Sequence, residues 1–135
     1  IVVSEKQGKG QTEVNHRSTG IVGLPANVKM VVMVDGGSAS ASEILAGALK
    51  DHGVAKIVGV KSFGKGSVQE LINLDDGSSL KVTIAKWYTP GGINISESGI
   101  KPDVEAVATT TMKDKKGNVL DSQLYKAIET VKKIK

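Results

Sequence analysis

The run Lys29-Met30-Val31-Val32-Met33-Val34-Asp35 constrains the fold more than any other stretch, because its apolar side chains are consecutive and leave no polar face. A strand of this composition is covered on both sides, as in parallel α/β sheets. A helix is then needed to return the chain. Gly36 and Gly37 make the turn, Ser38 or Ser40 can serve as N-cap, and Glu43 follows Ser40 by three residues, the spacing of a capping box. Ile44, Leu45, Ala48 and Leu49 fall on one helical face, and Gly53 supplies a C-terminal stop. Val54 to Val60 is the next apolar strand, completing a βαβ unit whose crossover is expected to be right-handed.

Hairpins and a final helix are added to this unit. Ile1 to Glu5 and Gln11 to Arg17 read as two strands joined by the turn Gly8-Lys9-Gly10, a hairpin expected on the surface. Ser18 to Asn27 is a connecting loop. Val68 to Leu74 and Ser79 to Lys86 flank Asp75-Asp76-Gly77-Ser78, a strong hairpin signal. Trp87-Tyr88-Thr89-Pro90-Gly91-Gly92 breaks that pattern, Ile93 to Ile95 reads as a short strand, and Gly99-Ile100-Lys101-Pro102-Asp103 as a turn. In Asp121 to Ile134, residues Leu124, Ala127, Ile128, Val131 and Ile134 recur at helical spacing. The fold class is α/β, and with 135 residues, 39% of them hydrophobic, one domain can bury a core.

Several functions are argued against at this level. The 18 basic and 14 acidic residues are interspersed, and Lys113-Asp114-Lys115-Lys116 is the only notable basic cluster, so a nucleic-acid partner is not expected. One Phe, two Tyr and one Trp provide no stacking platform for single strands. Without cysteine there is no disulfide, thiolate metal site or cysteine nucleophile. No apolar run is long enough to span a bilayer, and the chain opens on Ile1-Val2-Val3 without an initiator Met. It reads as a piece of something longer, touching a membrane only through that parent.

Two segments carry candidate chemistry. Ser38, Ser40 and Ser42 are read structurally as small residues at a helix start, one of them capping it. Read functionally, a hydroxyl there sits beside free backbone N–H groups and the positive end of the helix dipole, where an oxyanion is stabilised. That geometry resembles a nucleophile elbow without the G-x-S-x-G spelling. Downstream, Phe63-Gly64-Lys65-Gly66-Ser67-Val68-Gln69 holds a lysine between two glycines, with Phe63 and Val68 expected to cover it. A lysine amine accepts a proton only when neutral, a form that desolvation favours. Gln69 is placed to hydrogen-bond the amine, or is an ordinary exposed strand residue. Gly59 to Lys65 matches the phosphate-loop pattern G-x-x-x-x-G-K, but Gly66 stands where Ser or Thr is needed and a strand follows instead of a helix. His16 and His52 lack metal spacing. A Ser-His-Asp triad using either ranks below a Ser-Lys pair.

Taken in order, Gly37-Ser38-Ala39-Ser40-Ala41-Ser42-Glu43, Phe63-Gly64-Lys65-Gly66-Ser67-Val68-Gln69, Trp87-Tyr88-Thr89-Pro90-Gly91-Gly92 and Gly99-Ile100-Lys101-Pro102-Asp103 resemble the carboxy-terminal processing (tail-specific) serine proteases. The match runs from about Lys29 to Val107. The resemblance implies a crotonase-like α/β core and an endopeptidase that cleaves proteins near their C-termini, usually after apolar residues. Its nucleophile falls on Ser40, its general base on Lys65, and the residue orienting that lysine on Gln69. Ala41 would supply an oxyanion N–H, and Glu43 matches an acidic position whose role is capping or catalytic support. No cofactor and no metal are implied. The partner it implies is a protein or peptide substrate with an apolar C-terminus, and the compartment it implies lies outside the cytoplasm: periplasm, cell envelope or thylakoid lumen.

The family's L-R-x-N-x-G-G segment, which supplies the second oxyanion donor, and its PDZ domain are absent from these residues. Residues 1–135 are therefore expected to form the C-terminal part of a catalytic core, inactive in isolation. Ile93-Asn94-Ile95-Ser96-Glu97-Ser98 also departs from the family's basic residue and Q-G segment. The rival reading from another class is a non-catalytic peptide- or partner-binding module that keeps the fold.

Overall fold

The computed structural model describes residues 1–8, 13–21, 23–25, 27–109 and 112–134. Among them the apolar run becomes β3 (Met30–Val34) and the second apolar stretch β4 (Ala55–Gly59), with α1 (Ala41–Asp51) between them. The two strands pair in parallel from Met30 opposite Ala55 to Val34 opposite Gly59, giving the expected βαβ unit. A third strand, β7 (Val104–Glu105), adds in parallel beyond β4 in the order β3-β4-β7. Two residues carry no periodicity that the sequence could show; Asp103 fixes the strand by accepting the Ile57 N–H at 2.8 Å.

Strand alternation sorts the apolar residues of β3 and β4 between two cores. On one face Val34 and Ile57 meet Ala46 of α1 together with Ile95 and Ile100, and Val32, Ile44 and Trp87 pack around them. On the other, Val58 and Ala106 meet Ala127 of the last helix, α3 (Ser122–Lys133), flanked by Val31 and Val104. Ile57 and Ile95 are fully buried, which contributes about 2 kcal/mol each. The C-terminal helix expected from its spacing is thus present, capped by Asp121, whose side chain accepts from the Gln123 and Leu124 N–H groups.

A second sheet has the order β2-β1-β6-β5, built from β1 (Val3–Lys6), β2 (Glu13–His16), β5 (Ser67–Asn73) and β6 (Ser79–Tyr88), antiparallel throughout. The first hairpin forms, although Lys9 to Thr12, including part of its expected turn, lie outside the described residues. It is not simply a surface feature: β1 pairs on both sides, and Val3 and Ser4 are buried. The Asp75 to Ser78 turn closes as expected, with Asp76 Oδ1 accepting from the Ser78 N–H and hydroxyl.

Three other expectations are corrected. Trp87 and Tyr88 continue β6 instead of ending it, because Trp87 N–H bonds to Gly66 O at 2.7 Å and Tyr88 pairs with Ser4. Ile93 to Ile95 is not a strand: only Asn94 bridges to Tyr88, and Asn94 then caps the short helix α2 (Ile95–Ser98) through the Ser96 N–H. On α1, Leu45 is 57% exposed, and the buried positions are Glu43, Ala46, Gly47 and Ala48. Small residues win that face because the helix lies close to Thr89, just past β6, and to Ile100 in the loop before β7; a Cβ on Gly47 would stand 2.7 Å from Thr89 Cγ2 and 3.1 Å from Ile100 Cδ1.

Gly59 ends β4 with φ +134°, and a Cβ there would stand 1.9 Å from Val34 O. Gly59→Ala is expected to destabilise the protein by roughly 3 kcal/mol, read as a lowered urea midpoint with an unchanged slope.

Candidate active site

The turn between β3 and α1 is built by Asp35 and Ser38. Asp35 Oδ1 accepts from the Gly37 N–H at 3.0 Å, the Ser38 N–H at 2.9 Å and the Ser38 hydroxyl at 3.0 Å. The Ser38 hydroxyl, and after it the Gly37 amide, hold the Asp35 carboxyl below the usual aspartate range. This closed turn delivers Ser40 to the mouth of α1 with φ 57° and ψ −117°. Among the described residues Ser40 is the only non-glycine residue with positive φ. Such a conformation costs about 1–3 kcal/mol and survives only where its surroundings impose it. It is the sharp strand-to-helix bend that presents a hydroxyl outward, and Ser40 is exposed.

The surroundings that impose it centre on Glu43, which is completely buried. The glutamate arm of the capping box read from the spacing forms, with the Ser40 N–H donating to Glu43 Oε2 at 2.9 Å. The Glu43 N–H is itself held by the Ser40 carbonyl oxygen at 3.0 Å, so the helix start does not depend on the serine hydroxyl for that group. Glu43 also reaches the second candidate segment. Its Oε2 accepts from the Lys65 N–H at 2.8 Å, and its Oε1 from the Gly64 N–H at 2.6 Å and the Ser62 hydroxyl at 2.5 Å. Two carboxylate oxygens therefore take four donors, the full acceptor capacity of an ionised carboxyl group.

One oxygen of Glu43 thus holds the amides of both Ser40 and Lys65, which brings the two backbones side by side. The Phe63 N–H adds a second tie by donating to Ser38 O at 2.9 Å. Ala41 is the first residue of α1, where helical N–H groups lack intrahelical acceptors. Gln69 lies on β5 just past a bulge between Val68 and Gln69 and is exposed.

The cover expected over Lys65 is not in place. Lys65 is exposed and Phe63 is 66% exposed, because the loop turns its amides inward to Glu43 and its side chains outward. The histidines stand elsewhere. His52 is the C-cap of α1, the opposite end from Ser40, and about 18 Å away along the helix axis. His16 lies on β2 at the sheet edge, 3.5 Å from Glu5 and edge-on to Trp87.

Sequence reasoning missed Ser62, whose buried position has no periodic signal, and the bonds by which Glu43, expected to cap or to support catalysis, holds the loop of Lys65. The only hint was a capping glutamate followed, one apolar strand later, by two glycines around a lysine.

A family model of "Peptidase family S41" matches residues 1–106, four motifs and both cores' strands included. The chain belongs to this family. The carboxy-terminal-processing protease of Bartonella bacilliformis is 46% identical over 98 residues, covering 73% of this chain and 23% of that protein. A probable CtpA-like serine protease of Staphylococcus epidermidis is 40% identical over 135 residues, covering 99% of this chain and 27% of that protein. The chloroplastic carboxyl-terminal-processing peptidase 3 of Arabidopsis thaliana is 54% identical over 85 residues, 63% of this chain and 16% of that protein. The S41 chain described here therefore spans about a quarter or less of the length of these relatives.

Among solved structures, a photosystem II D1 C-terminal processing protease aligns at a TM-score of 0.60 with 44% identity, covering 67% of this chain and 24% of that one. A lipoprotein from Streptococcus agalactiae aligns over 97% of this chain and 44% of that one, at a TM-score of 0.70 and 17% identity, a likeness of fold alone.

Two expected outcomes follow from this S41 site. Glu43→Gln puts an NH₂ donor where two N–H or O–H donors already point, and is expected to cost roughly 3 kcal/mol, measured as the shift in urea midpoint. Asp35, its pKa depressed by folding, favours the folded state above the ordinary aspartate value of about 3.9 and stops doing so as the pH falls through its lower folded value. The stability difference between the protein and Asp35→Asn should therefore shrink below about pH 4, followed by denaturation at a series of pH values.

Proposed function

We propose that this chain carries the nucleophile and the base of a Ser-Lys serine endopeptidase that cleaves proteins near apolar C-termini. The observation that carries this reading is the convergence of the Ser40 and Lys65 amides on one oxygen of buried Glu43, with Ser40 held in a strained, outward-facing turn. In this reading the Ser40 hydroxyl attacks the scissile carbonyl and its proton passes to the Lys65 amine. The amine then delivers the proton to the departing nitrogen, and water hydrolyses the acyl-serine with the same base. The Ala41 N–H stabilises the oxyanion, Gln69 orients the lysine, and Glu43 fixes the two segments without touching substrate.

The same reading makes residues 1–135 the C-terminal part of a crotonase-like catalytic core that works within a longer protein, with a PDZ domain and the second oxyanion donor supplied from outside them. Exposed Lys65 supports this, since the apolar cover that a lysine base needs is not supplied by the outward-turned Phe63 and would come from outside these residues. Loss of one oxyanion donor alone costs about 10²–10³ in rate, so the 135-residue chain by itself is proposed to be inactive. The same reading puts its action outside the cytoplasm, in periplasm, cell envelope or thylakoid lumen, and the chloroplastic name of one relative is in keeping with the last of these.

In the full-length protein, Ser40→Ala and Lys65→Ala are each expected to lower kcat at least about 10³-fold on a peptide with an apolar C-terminus. A fluorophosphonate should label Ser40 in the active protein. Full turnover by both variants would end the dyad assignment, and normal turnover by the isolated 135 residues would end the proposal that this part is incomplete.

A further inference from the structure

Ser62 is the most constrained polar side chain to which no role has been given. It is 4% exposed. Its hydroxyl donates to Glu43 Oε1 at 2.5 Å and accepts the Ile100 N–H at 2.7 Å, while its own N–H donates to Ile100 O at 3.1 Å. The direction of the hydroxyl is forced. An amide N–H only donates, so the hydroxyl proton has to go to the carboxylate. The contact is also tight, since a Cβ on Gly99 would stand 2.8 Å from Ser62 O and 3.1 Å from Ser62 Oγ.

A continuous set of hydrogen bonds therefore runs from the Gly99-Ile100 backbone through Ser62 to Glu43, and from Glu43 to the amides of Gly64, Lys65 and Ser40. We propose that Ser62 is a positioning residue for peptide hydrolysis: by fixing the rotation of the Glu43 carboxylate it sets the spacing between the Ser40 hydroxyl and the Lys65 amine. The proposal rests on the Ser-Lys reading above. Without the hydroxyl, Oε1 keeps only the Gly64 N–H, and any rotation of the carboxylate carries Oε2, with the Ser40 and Lys65 amides bound to it. A misplacement near 1 Å costs about 10² in rate when it separates reacting groups. Ser62 is a buried residue of the loop itself and its side chain does not reach the surface, so the loss falls on kcat and not on KM.

The test uses the full-length protein and its variants Ser62→Ala and Ser62→Thr, assayed on a peptide with an apolar C-terminus beside Ser40→Ala and Lys65→Ala. Ser62→Ala is expected to lower kcat by about tenfold to 10²-fold with KM changed less than about twofold. Ser62→Thr, which keeps the hydroxyl, should return kcat to within about threefold of the parent. Amide hydrogen exchange at Gly64 and Lys65 should quicken about tenfold in Ser62→Ala. Unchanged kcat in a folded Ser62→Ala, an equal loss in Ser62→Thr, or a loss carried by KM alone would each overturn the proposal. Should Ser62→Ala not fold, Ser62→Cys, a weaker donor, takes its place: an intermediate kcat supports the proposal and a parental kcat overturns it. Activity retained by the Ser40 and Lys65 variants would remove the Ser-Lys reading and this role with it. Inactive dyad variants beside a fully active Ser62→Ala would remove this role alone.

Discussion

A carboxylate removed from water has to find donors for all of its lone pairs, and Glu43 meets that demand with groups from separate parts of the chain. An unpaired buried charge costs several kcal/mol, so the segments that supply its donors cannot drift apart while the protein stays folded. The helix mouth at Ser40 and the loop at residues 62–65 are therefore fixed relative to one another by electrostatics, where apolar packing would allow sliding. No cation faces Glu43 among its hydrogen-bond partners. Backbone amides and one hydroxyl carry the whole load, which ties its geometry to main chain and not to mobile side chains.

Strain at Ser40 is held in place by the same arrangement. The turn is closed from one side by Asp35 and Ser38, and from the other by Glu43 accepting the Ser40 amide. Behind it, α1 approaches its neighbours through Ala46 and Gly47, residues small enough for close contact with Thr89 and Ile100. A bulkier helix face would lift Glu43 away from the loop, so the small residues belong to the site as much as to the core. Gly66 contributes in the same way: a Cβ there would stand 2.5 Å from Ser96 N, so the loop after Lys65 lies directly on α2.

Much of this was legible before any coordinates. Continuous apolar composition marked β3 and β4, the three-residue interval from Ser40 to Glu43 marked the helix start, and Asp75 to Ser78 marked the hairpin. Where reading by pattern failed, a tertiary contact overrode a local signal. Leu45 fits the helical period of Ile44 and Leu49 but is exposed, because the helix turns its small residues inward. Ile95 looks like the end of a strand and is instead the buried first residue of α2, since Asn94 caps a helix there. β1 reads like half of a free hairpin, yet it also pairs with β6, which lies some eighty residues further along the chain.

Sequence alone determined the class of the fold, the strand-turn-helix that presents Ser40, and the family, because consecutive apolar residues, capping intervals and ordered motifs are local and survive translation into one dimension. Tertiary structure alone decided that Glu43 serves the loop of Lys65 as well as its own helix, that Ser62 links it to Ile100, and that Lys65 stands in solvent. The reason is physical: hydrogen bonds between residues twenty to forty positions apart depend on how the βαβ unit closes, and no spacing along the chain encodes which way a buried carboxylate or an exposed amine will turn.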